Sequence, residues 1–314
     1  MRRLSLLFIF ALLLCLSAAP QAPAAAQSAA PAIPQLQGSG LKSPYAGQEL
    51  TGPLRGCVTG VAAEGFFLQD PTGDGDAKTS DGIYVYRYSS WRNPRALKPG
   101  DLIEITGRYK VMEFYGQTEI AGLSNDKTET YRIVGKCPLP APVRIETPIP
   151  MNKPPTAQYE PLEGQRITIS FAASVAGPTQ RYESRYPAGD PEITLAPLGG
   201  PLWGNRIPAD LLPVDIGTIA LTGGLGVDLP AVNTFDRIEA EDLTGILAYQ
   251  FGRYVFLVEN PVALRVTSGE LKPVSIPPAG PDEWTLCAFN AENLFDAVDD
   301  KEGDVGDWSP ASAG

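Results

Sequence analysis

Short apolar runs separated by glycine and proline dominate the chain from about residue 45 onward. In the segment 101–107, Ile103 and Ile105 alternate with polar residues, which is the two-residue period of a half-buried strand. The 32 glycines and 31 prolines among 314 residues favour turns and short strands over long helices. The pattern predicts strands at 54–61, 65–69, 82–86, 101–107 and 117–120 in a first unit, and at 165–169, 192–195, 219–222, 243–247 and 253–258 in a second.

This strand pattern predicts a mainly β protein with two OB-like Greek-key barrels in tandem, over residues 45–148 and 159–268. Late in each unit an aromatic residue is followed by glycine, as Tyr115-Gly116 in the first and Phe251-Gly252 in the second. The repeat indicates a degenerate duplication. Residues 199–236 form a Gly/Pro-rich insertion that is expected to be irregular.

The N-terminus has the layout of a secretory signal peptide over residues 1–26, with a cationic start, an apolar core at 4–19 and small residues at 24–26. A lipid anchor at Cys15 is the alternative, but a leucine precedes it where a small residue would be expected. We therefore expect a secreted, periplasmic or extracellular protein that is not held to a membrane after cleavage. Residues 27–44, rich in Ala and Pro, are expected to form a disordered leader.

The cysteines fit an exported protein. Cys57 lies early in the first unit and Cys137 at its exit, so a disulfide between them would connect the two ends of that unit. The alternative is two unpaired, buried thiols. Cys287 stands in the middle of an apolar strand and is interpreted as a packed thiol, because the chain contains no histidine to activate it.

The formal net charge of −11 is unevenly placed along the chain. Residues 281–314 contain nine acidic side chains and one basic side chain. A polyanion is therefore not attracted to the chain as a whole.

One basic stretch, residues 87–98, has aromatic residues placed between its cations. OB barrels bind single strands by stacking bases on aromatic rings and pairing phosphates with cations. The stretch is therefore a candidate nucleic-acid site, with DNA favoured over RNA; the alternative is an ordinary connection between strands. The candidate residues are Arg87, Tyr88, Trp91, Arg92, Arg95 and Lys98.

An acidic loop after the second predicted strand is a candidate Ca²⁺ site. Its spacing departs from the EF-hand pattern, because Lys78 stands where a ligand is needed. Aspartates and glycines also form turns without any metal, and this is the alternative. The candidate ligands are Asp70, Asp74, Asp76 and Asp81.

Several segments, taken in order, resemble parts of bacterial extracellular nucleases of the endonuclease/exonuclease/phosphatase superfamily, whose catalytic domain has the fold of deoxyribonuclease I. The first group resembles the accessory β-barrel module that precedes the catalytic domain, the second group resembles a further accessory module, and the last segment matches the first strand of the catalytic domain. These segments are 65–76, 80–85 and 99–107, then 159–165, 242–249 and 251–254, and finally 289–295.

The resemblance implies Mg²⁺-assisted hydrolysis of phosphodiesters, with residues 282–314 as the truncated start of an α/β four-layer nuclease domain. It assigns Asn290 to positioning metal or phosphate and Glu292 to the metal shell. Residues two apart on a strand share a face, so both side chains are able to reach one ion, and oxygen ligands suit Mg²⁺. The alternative is an ordinary Asn and Glu at the end of a surface strand.

The chain departs from the family, because the later carboxylates and the histidines of the catalytic domain are absent from its sequence. We therefore expect the N-terminal portion of a secreted metal-dependent nuclease, catalytically incomplete by itself, whose OB-like modules assist nucleic-acid binding. The alternative is a non-catalytic secreted binding or spacer module for another ligand, such as a glycan or a cell-surface polymer.

Overall fold

The computed structural model describes residues 30–86, 97–122, 131–146, 156–182, 190–198, 219–269, 280–282 and 284. The described residues from 30 to 269 belong to one compact body. Within the described ranges, no helix has the length and apolarity needed to cross a bilayer. This body contains two eight-stranded sheets.

The first sheet closes into a barrel through one bent strand. The fifth strand of this sheet pairs with the second, and the sixth pairs with the seventh, while only Thr106 and Gly107 separate the fifth from the sixth. Glycine at this bend permits the change of direction. The strands are β1 (Glu49–Thr51), β2 (Leu54–Val61), β3 (Gly65–Gln69), β4 (Gly82–Tyr86), β5 (Asp101–Ile105), β6 (Arg108–Phe114), β7 (Gln117–Ala121) and β8 (Tyr131–Lys136).

The second sheet closes in the same way around a strand of 14 residues. This long strand, β14 (Arg237–Gln250), pairs with β10 (Arg166–Val175) along one half and with β15 (Arg253–Val258) along the other, and β10 in turn pairs with β12 (Asp190–Pro197). The strands are β9 (Val143–Ile145), β10 (Arg166–Val175), β11 (Gln180–Tyr182), β12 (Asp190–Pro197), β13 (Ile219–Thr222), β14 (Arg237–Gln250), β15 (Arg253–Val258) and β16 (Leu264–Thr267).

Both barrels have one strand order. In each barrel three strands pair in antiparallel order, β2–β3–β4 in the first barrel and β10–β12–β13 in the second. The third of these strands then pairs in parallel with a later strand, β4 with β7 and β13 with β15. The long bent strand, β5–β6 in the first barrel and β14 in the second, connects this later strand to the first of the three. This circuit is that of an OB barrel, so the prediction of a mainly β chain with two OB-like barrels is confirmed.

Each barrel has its own apolar interior. Alternate residues of the strands point inward, as Ile103 and Ile105 do in β5 and Ile167 and Ile169 do in β10. The largest fully buried side chains include Phe66 in the first barrel, and each core consists mainly of branched aliphatic residues that pack against aromatic rings.

The leader differs from its expected disorder, because residues 33–37 form a short helix, α1 (Ile33–Gln37). Ile33 and Leu36 lie one helical turn apart, are fully buried, and pack into the core of the first barrel. The Ala/Pro-rich composition concealed this helix, because only two apolar anchors on one face are needed to attach it to the barrel.

Several strands were missed or extend beyond the segments predicted from the sequence: β1, β6, β8, β9, β11 and β16 were missed, and β10, β12 and β14 extend further than predicted. β6 was missed, although Tyr109 and Val111 alternate with exposed residues, because its other positions are charged or polar. β14 begins at Arg237 rather than near residue 243, since acidic residues on its exposed face obscure the alternation of Ile238 and Ala240. In both strands one face packs on a core and the other is polar.

The structure contains the disulfide between Cys57 and Cys137 that the sequence analysis favoured. Cys57 belongs to β2, and Cys137 follows β8, whose strand pairs with β5 beside it. The two cysteines are 80 residues apart in sequence. The bond therefore closes a loop that contains most of the first barrel.

We expect the paired replacement Cys57→Ser and Cys137→Ser to lower the free energy of unfolding by about 2–4 kcal/mol, because a long closed loop restricts the unfolded chain. Urea unfolding followed by far-UV circular dichroism measures the change. Cys287→Ser leaves the disulfide intact and is the matched control. An unchanged free energy of unfolding in the paired variant would contradict the expectation.

Candidate ligand-binding site

The two barrels meet at a buried polar junction. The segment before β10, which contains helix α2 (Thr156–Tyr159), places Glu163 against the first barrel. The carbonyl oxygen of Glu163 accepts a hydrogen bond of 2.5 Å from Ser80 Oγ, and its Oε1 accepts one of 2.9 Å from the Thr118 backbone N–H. Gln37 Nε2 donates to the carbonyl oxygen of Gly82 at 2.6 Å. Helix α1 and both barrels are therefore connected at one place.

The same junction requires two glycines. A Cβ atom at Gly82 would stand 2.2 Å from the carbonyl carbon of Gly164, and Gly164 has a φ of +79°. The two backbones therefore touch where any larger residue would separate them. Beside them, outward-facing side chains of both barrels form a separate apolar cluster of Phe67, Tyr84, Ile246, Ala248, Val255 and Leu257.

Next to this junction, the two barrels turn equivalent faces toward each other. In an OB barrel, ligands bind on the face of the second and third strands and at the loops between strands one and two and between strands four and five. In the first barrel these are β3, β4, residues 62–64 and the β6–β7 turn. Their counterparts in the second barrel lie opposite, across a cleft of about 810 Å³.

Aromatic side chains from both barrels line the cleft. Phe251 is 77 % exposed and Phe114 and Tyr182 are about half exposed, although large apolar rings are normally buried. Flat, exposed rings in a cleft offer surfaces on which a planar ligand group stacks. The six aromatic residues of the lining are Tyr84, Tyr86, Phe114, Tyr182, Tyr249 and Phe251.

The two repeated aromatic-glycine pairs form the tips of equivalent hairpins. Tyr115 and Gly116 have φ values of 48° and 93°, and Phe251 and Gly252 have 50° and 85°. Both turns therefore have positive φ at two successive residues, as a tight two-residue hairpin requires. The ring centroids of Tyr115 and Phe251 are 5.7 Å apart, so the tips of the two barrels contact each other at the cleft.

The charge of the cleft is predominantly acidic. Its lining contains the carboxylates of Glu64, Glu119, Asp190 and Glu192 and one guanidinium, that of Arg253. Arg253 of β15 forms an ion pair with Glu192 of β12, so its charge is already balanced. A phosphate group would meet more negative than positive charge here.

Glu119 is the most unusual of these carboxylates, because it is only 3 % exposed. It lies on β7 beside Tyr84 of β4, in the parallel pairing of these strands. Burial, assisted by the nearby Glu113 carboxylate, raises the pKa of Glu119 to about 7. No lysine or arginine of the described ranges forms an ion pair with it. Its carboxyl group therefore changes its protonation state near neutral pH.

Gln117, two residues earlier on β7, lines the cleft next to Glu119. It is 5 % exposed, and its Nε2 atom has no hydrogen-bond partner among the described residues. A buried donor without a partner is costly, so it marks a place where a ligand oxygen or nitrogen would be favourable. The residue between them, Thr118, faces the other side of the strand and donates to Glu113.

The basic stretch proposed from the sequence lies almost wholly outside the described residues. Only Lys98 is described; it is exposed, and its backbone N–H donates to Asp101 Oδ2 at 2.9 Å. Arg87, Tyr88, Trp91, Arg92 and Arg95 remain predictions, as do Asn290 and Glu292 near the C-terminus.

The acidic loop is described in full, and its aspartates accept hydrogen bonds within the loop. Asp70 Oδ1 accepts from the backbone N–H of Thr72 at 2.9 Å, and Asp74 Oδ1 accepts from that of Asp76 at 2.8 Å. Burial raises the pKa of Asp81, which contacts the same turns. In the described part of the chain no group of three or more His, Cys, Asp or Glu side chains is arranged to hold a metal ion. Calcium at Asp70, Asp74, Asp76 and Asp81 stays a prediction.

The residues of the cleft were not among the candidates from the sequence. Tyr84 and Tyr86 were assigned only to a strand, and Gln117 and Glu119 only to a strand near the end of the first barrel. The available signal was the repeated aromatic-glycine pair, which marks the β6–β7 and β14–β15 turns of an OB barrel. Those turns lie beside the ligand face in this fold.

Comparison with known proteins gives weak likenesses to solved structures. No protein-family model and no curated protein matches the chain. The tetrameric p202 HIN2 structure is 9 % identical with a TM-score of 0.25, over 71 % of this chain and 95 % of that one. Fission yeast Pot1 with ssDNA is 11 % identical with a TM-score of 0.21, over 71 % of this chain and 85 % of that one.

A deletion mutant of the single-stranded DNA binding protein from Thermus aquaticus is 13 % identical with a TM-score of 0.17, over 73 % of this chain and 95 % of that one. All three TM-scores lie below 0.5. The OB assignment therefore rests on the strand pairing of this chain.

The raised pKa of Glu119 makes stability depend on pH. An unfolded glutamate titrates at 4.5 and the folded one at about 7, so between these values the folded state holds a proton that the unfolded state has released. The free energy of unfolding therefore falls from about pH 4.5 to about pH 7. Glu119→Gln has no carboxyl group at this position. We expect the free energy of unfolding of this variant, relative to that of the wild type, to rise by about 2 kcal/mol from pH 5 to pH 8.

Urea unfolding of both proteins at several pH values measures this difference. Glu64→Gln, which removes an exposed carboxylate of the same cleft, separates the effect of burial from that of charge number. Parallel pH profiles for the wild type and Glu119→Gln would show that the buried carboxyl group does not hold the proton.

Proposed function

We propose that this chain is the N-terminal, nucleic-acid-binding portion of a secreted metal-dependent nuclease, and that unpaired bases stack in the cleft between its two OB-like barrels. The observation that supports it best is the meeting of both ligand faces around one aromatic-lined cleft. Base–aromatic stacking requires unpaired bases, so the ligand is single-stranded.

The size and lining of the cleft suit bases rather than backbone. A volume of about 810 Å³ accommodates planar rings between opposing aromatic side chains. The carboxylates of the lining disfavour phosphate, so the phosphates of a bound strand would lie outside the cleft. Few phosphate contacts mean little counterion release, and the affinity would therefore change little with salt.

The nuclease part of the proposal rests on the resemblance of residues 289–295 to the first strand of a catalytic domain. Asn290 and Glu292 would hold Mg²⁺, which supplies phosphate neutralisation and an activated water when it is bound. Secretion rests on the signal-peptide pattern of residues 1–26. Mass spectrometry of the exported protein tests it, since cleavage near Ala26 would leave Gln27 at the N-terminus.

Hydrolysis by this chain alone is expected to be negligible, because its sequence contains no histidine to transfer protons. A supercoiled plasmid incubated with the chain and Mg²⁺ tests this. Mg²⁺-dependent nicking that disappears in Glu292→Ala would contradict the expectation and would place a working metal site in this polypeptide.

Binding of single-stranded DNA tests the proposal directly. We expect a fluorescent thymidine oligonucleotide of about 12 nucleotides to bind, and Phe251→Ala to weaken this binding about tenfold, since one stacked base contributes about 1–3 kcal/mol. Fluorescence anisotropy at several salt concentrations measures the affinity and its salt dependence.

Two variants serve as controls for that titration. Phe251→Tyr retains the ring and is expected to retain the affinity, and Val262→Ala removes an exposed apolar side chain that does not line the cleft. If duplex DNA binds as tightly as the single strand, or if Phe251→Ala binds normally, the stacking cleft is not the site.

A neutral glycan is the second candidate ligand, and the excess of carboxylates in the cleft favours it. Sugar hydroxyl groups donate hydrogen bonds to carboxylates, and sugar rings pack on aromatic faces. Isothermal titration with a neutral glucan oligosaccharide, in the same variants, distinguishes the candidates. Sugar binding that is lost in Phe251→Ala, without any binding of single-stranded DNA, would establish the glycan alternative.

A further inference from the structure

The floor of the cleft carries two polar side chains that the stacking function does not use. Gln117 and Glu119 lie two residues apart on β7, both almost fully buried, and both line the cleft. Ile120 points into the barrel core instead, so the strand alternates between core and cleft. We propose that Gln117 and Glu119 form a reading position that hydrogen-bonds the edge of the base stacked beside them.

The geometry of the neighbours supports this position. Tyr84 stands directly beside Glu119 on β4, and its ring packs against Phe67 with centroids 4.9 Å apart. Gln117 pairs with Phe114, the half-exposed aromatic residue at the end of β6. Each polar side chain therefore lies next to an aromatic side chain of the cleft. A base stacked on those rings would turn its edge toward the two polar groups.

The two side chains offer complementary hydrogen-bonding groups. Nε2 of Gln117 is a donor without a partner in the described part of the chain, and ionised Glu119 is an acceptor. A matching ligand edge has an acceptor next to a donor. In thymine, O4 would accept from Gln117 while N3–H would donate to Glu119; a sugar–phosphate backbone offers no such ring edge.

The charges around Glu119 disfavour an anionic ligand group. Glu113 lies on the neighbouring strand, Asp190 and Glu192 face the cleft from β12, Glu64 from the β2–β3 loop, and Arg253 is engaged by Glu192. A neutral N–H group stabilises the ionised carboxylate without adding negative charge. Binding therefore strengthens as the pH rises through about 7, where Glu119 loses its proton.

This inference rests on the proposed binding of single-stranded nucleic acid, and a modified base tests it separately. N3-methylthymine lacks the N3–H donor but keeps the ring that stacks. We expect the wild type at pH 8 to bind a thymidine oligonucleotide about tenfold more tightly than the same oligonucleotide with N3-methylthymine, as a hydrogen bond to a charged group implies. In Glu119→Ala the ratio is expected to approach one.

Two further variants complete the test. Glu241→Ala removes an exposed carboxylate that does not line the cleft and is expected to leave the ratio unchanged, whereas Gln117→Ala is expected to weaken both oligonucleotides by a similar factor. Glu119→Gln replaces Glu119→Ala if the alanine variant fails to fold, and a reduced ratio is expected. If neither oligonucleotide binds, both the proposed function and this inference are overturned. Binding with a ratio that both Glu119 variants leave unchanged overturns the inference alone.

Discussion

The arrangement of the two barrels depends on the burial of one polar segment between them. Glu163 is almost fully buried, and burial raises the pKa of its carboxyl group well above the ordinary value, with a smaller contribution from Glu160. Ser80 Oγ donates to the backbone carbonyl oxygen of Glu163 and the Thr118 N–H donates to its Oε1, while Oε2 has no hydrogen-bond partner among the described residues. Few relative orientations of the barrels satisfy these bonds, and Gly82 and Gly164 allow the backbones to approach closely enough.

This junction has a consequence for the cleft. Each barrel by itself would present a shallow ligand face to solvent, as OB barrels do. Because the junction holds both faces opposite each other, their aromatic side chains line one open cleft. Glu119 is buried beside this cleft without an ion pair among the described residues. The same burial raises the pKa of Glu119 to about 7, so its carboxyl group titrates near neutral pH.

The hairpin tips show how a repeated sequence feature acquires a role in this arrangement. Tyr115 and Phe251 both have positive φ, a conformation that costs energy for a bulky side chain. The strained aromatic residue is held at the β6–β7 turn in the first barrel and at the β14–β15 turn in the second, and the two rings contact each other. The strain is tolerated at equivalent positions of both barrels, beside the cleft, where an exposed ring is able to contact a ligand.

Local patterns in the sequence determined most of the strands and the two OB-like barrels, because alternation and turn residues act over a few positions. They did not reveal helix α1 or the full length of β14, whose buried residues are few or hidden among charges. The cleft was decided only by the tertiary structure. Glu119 and Phe251 are far apart in sequence, and no local pattern predicts which outward-facing surfaces of the two barrels will meet. The surfaces that meet depend on the buried polar segment between the barrels.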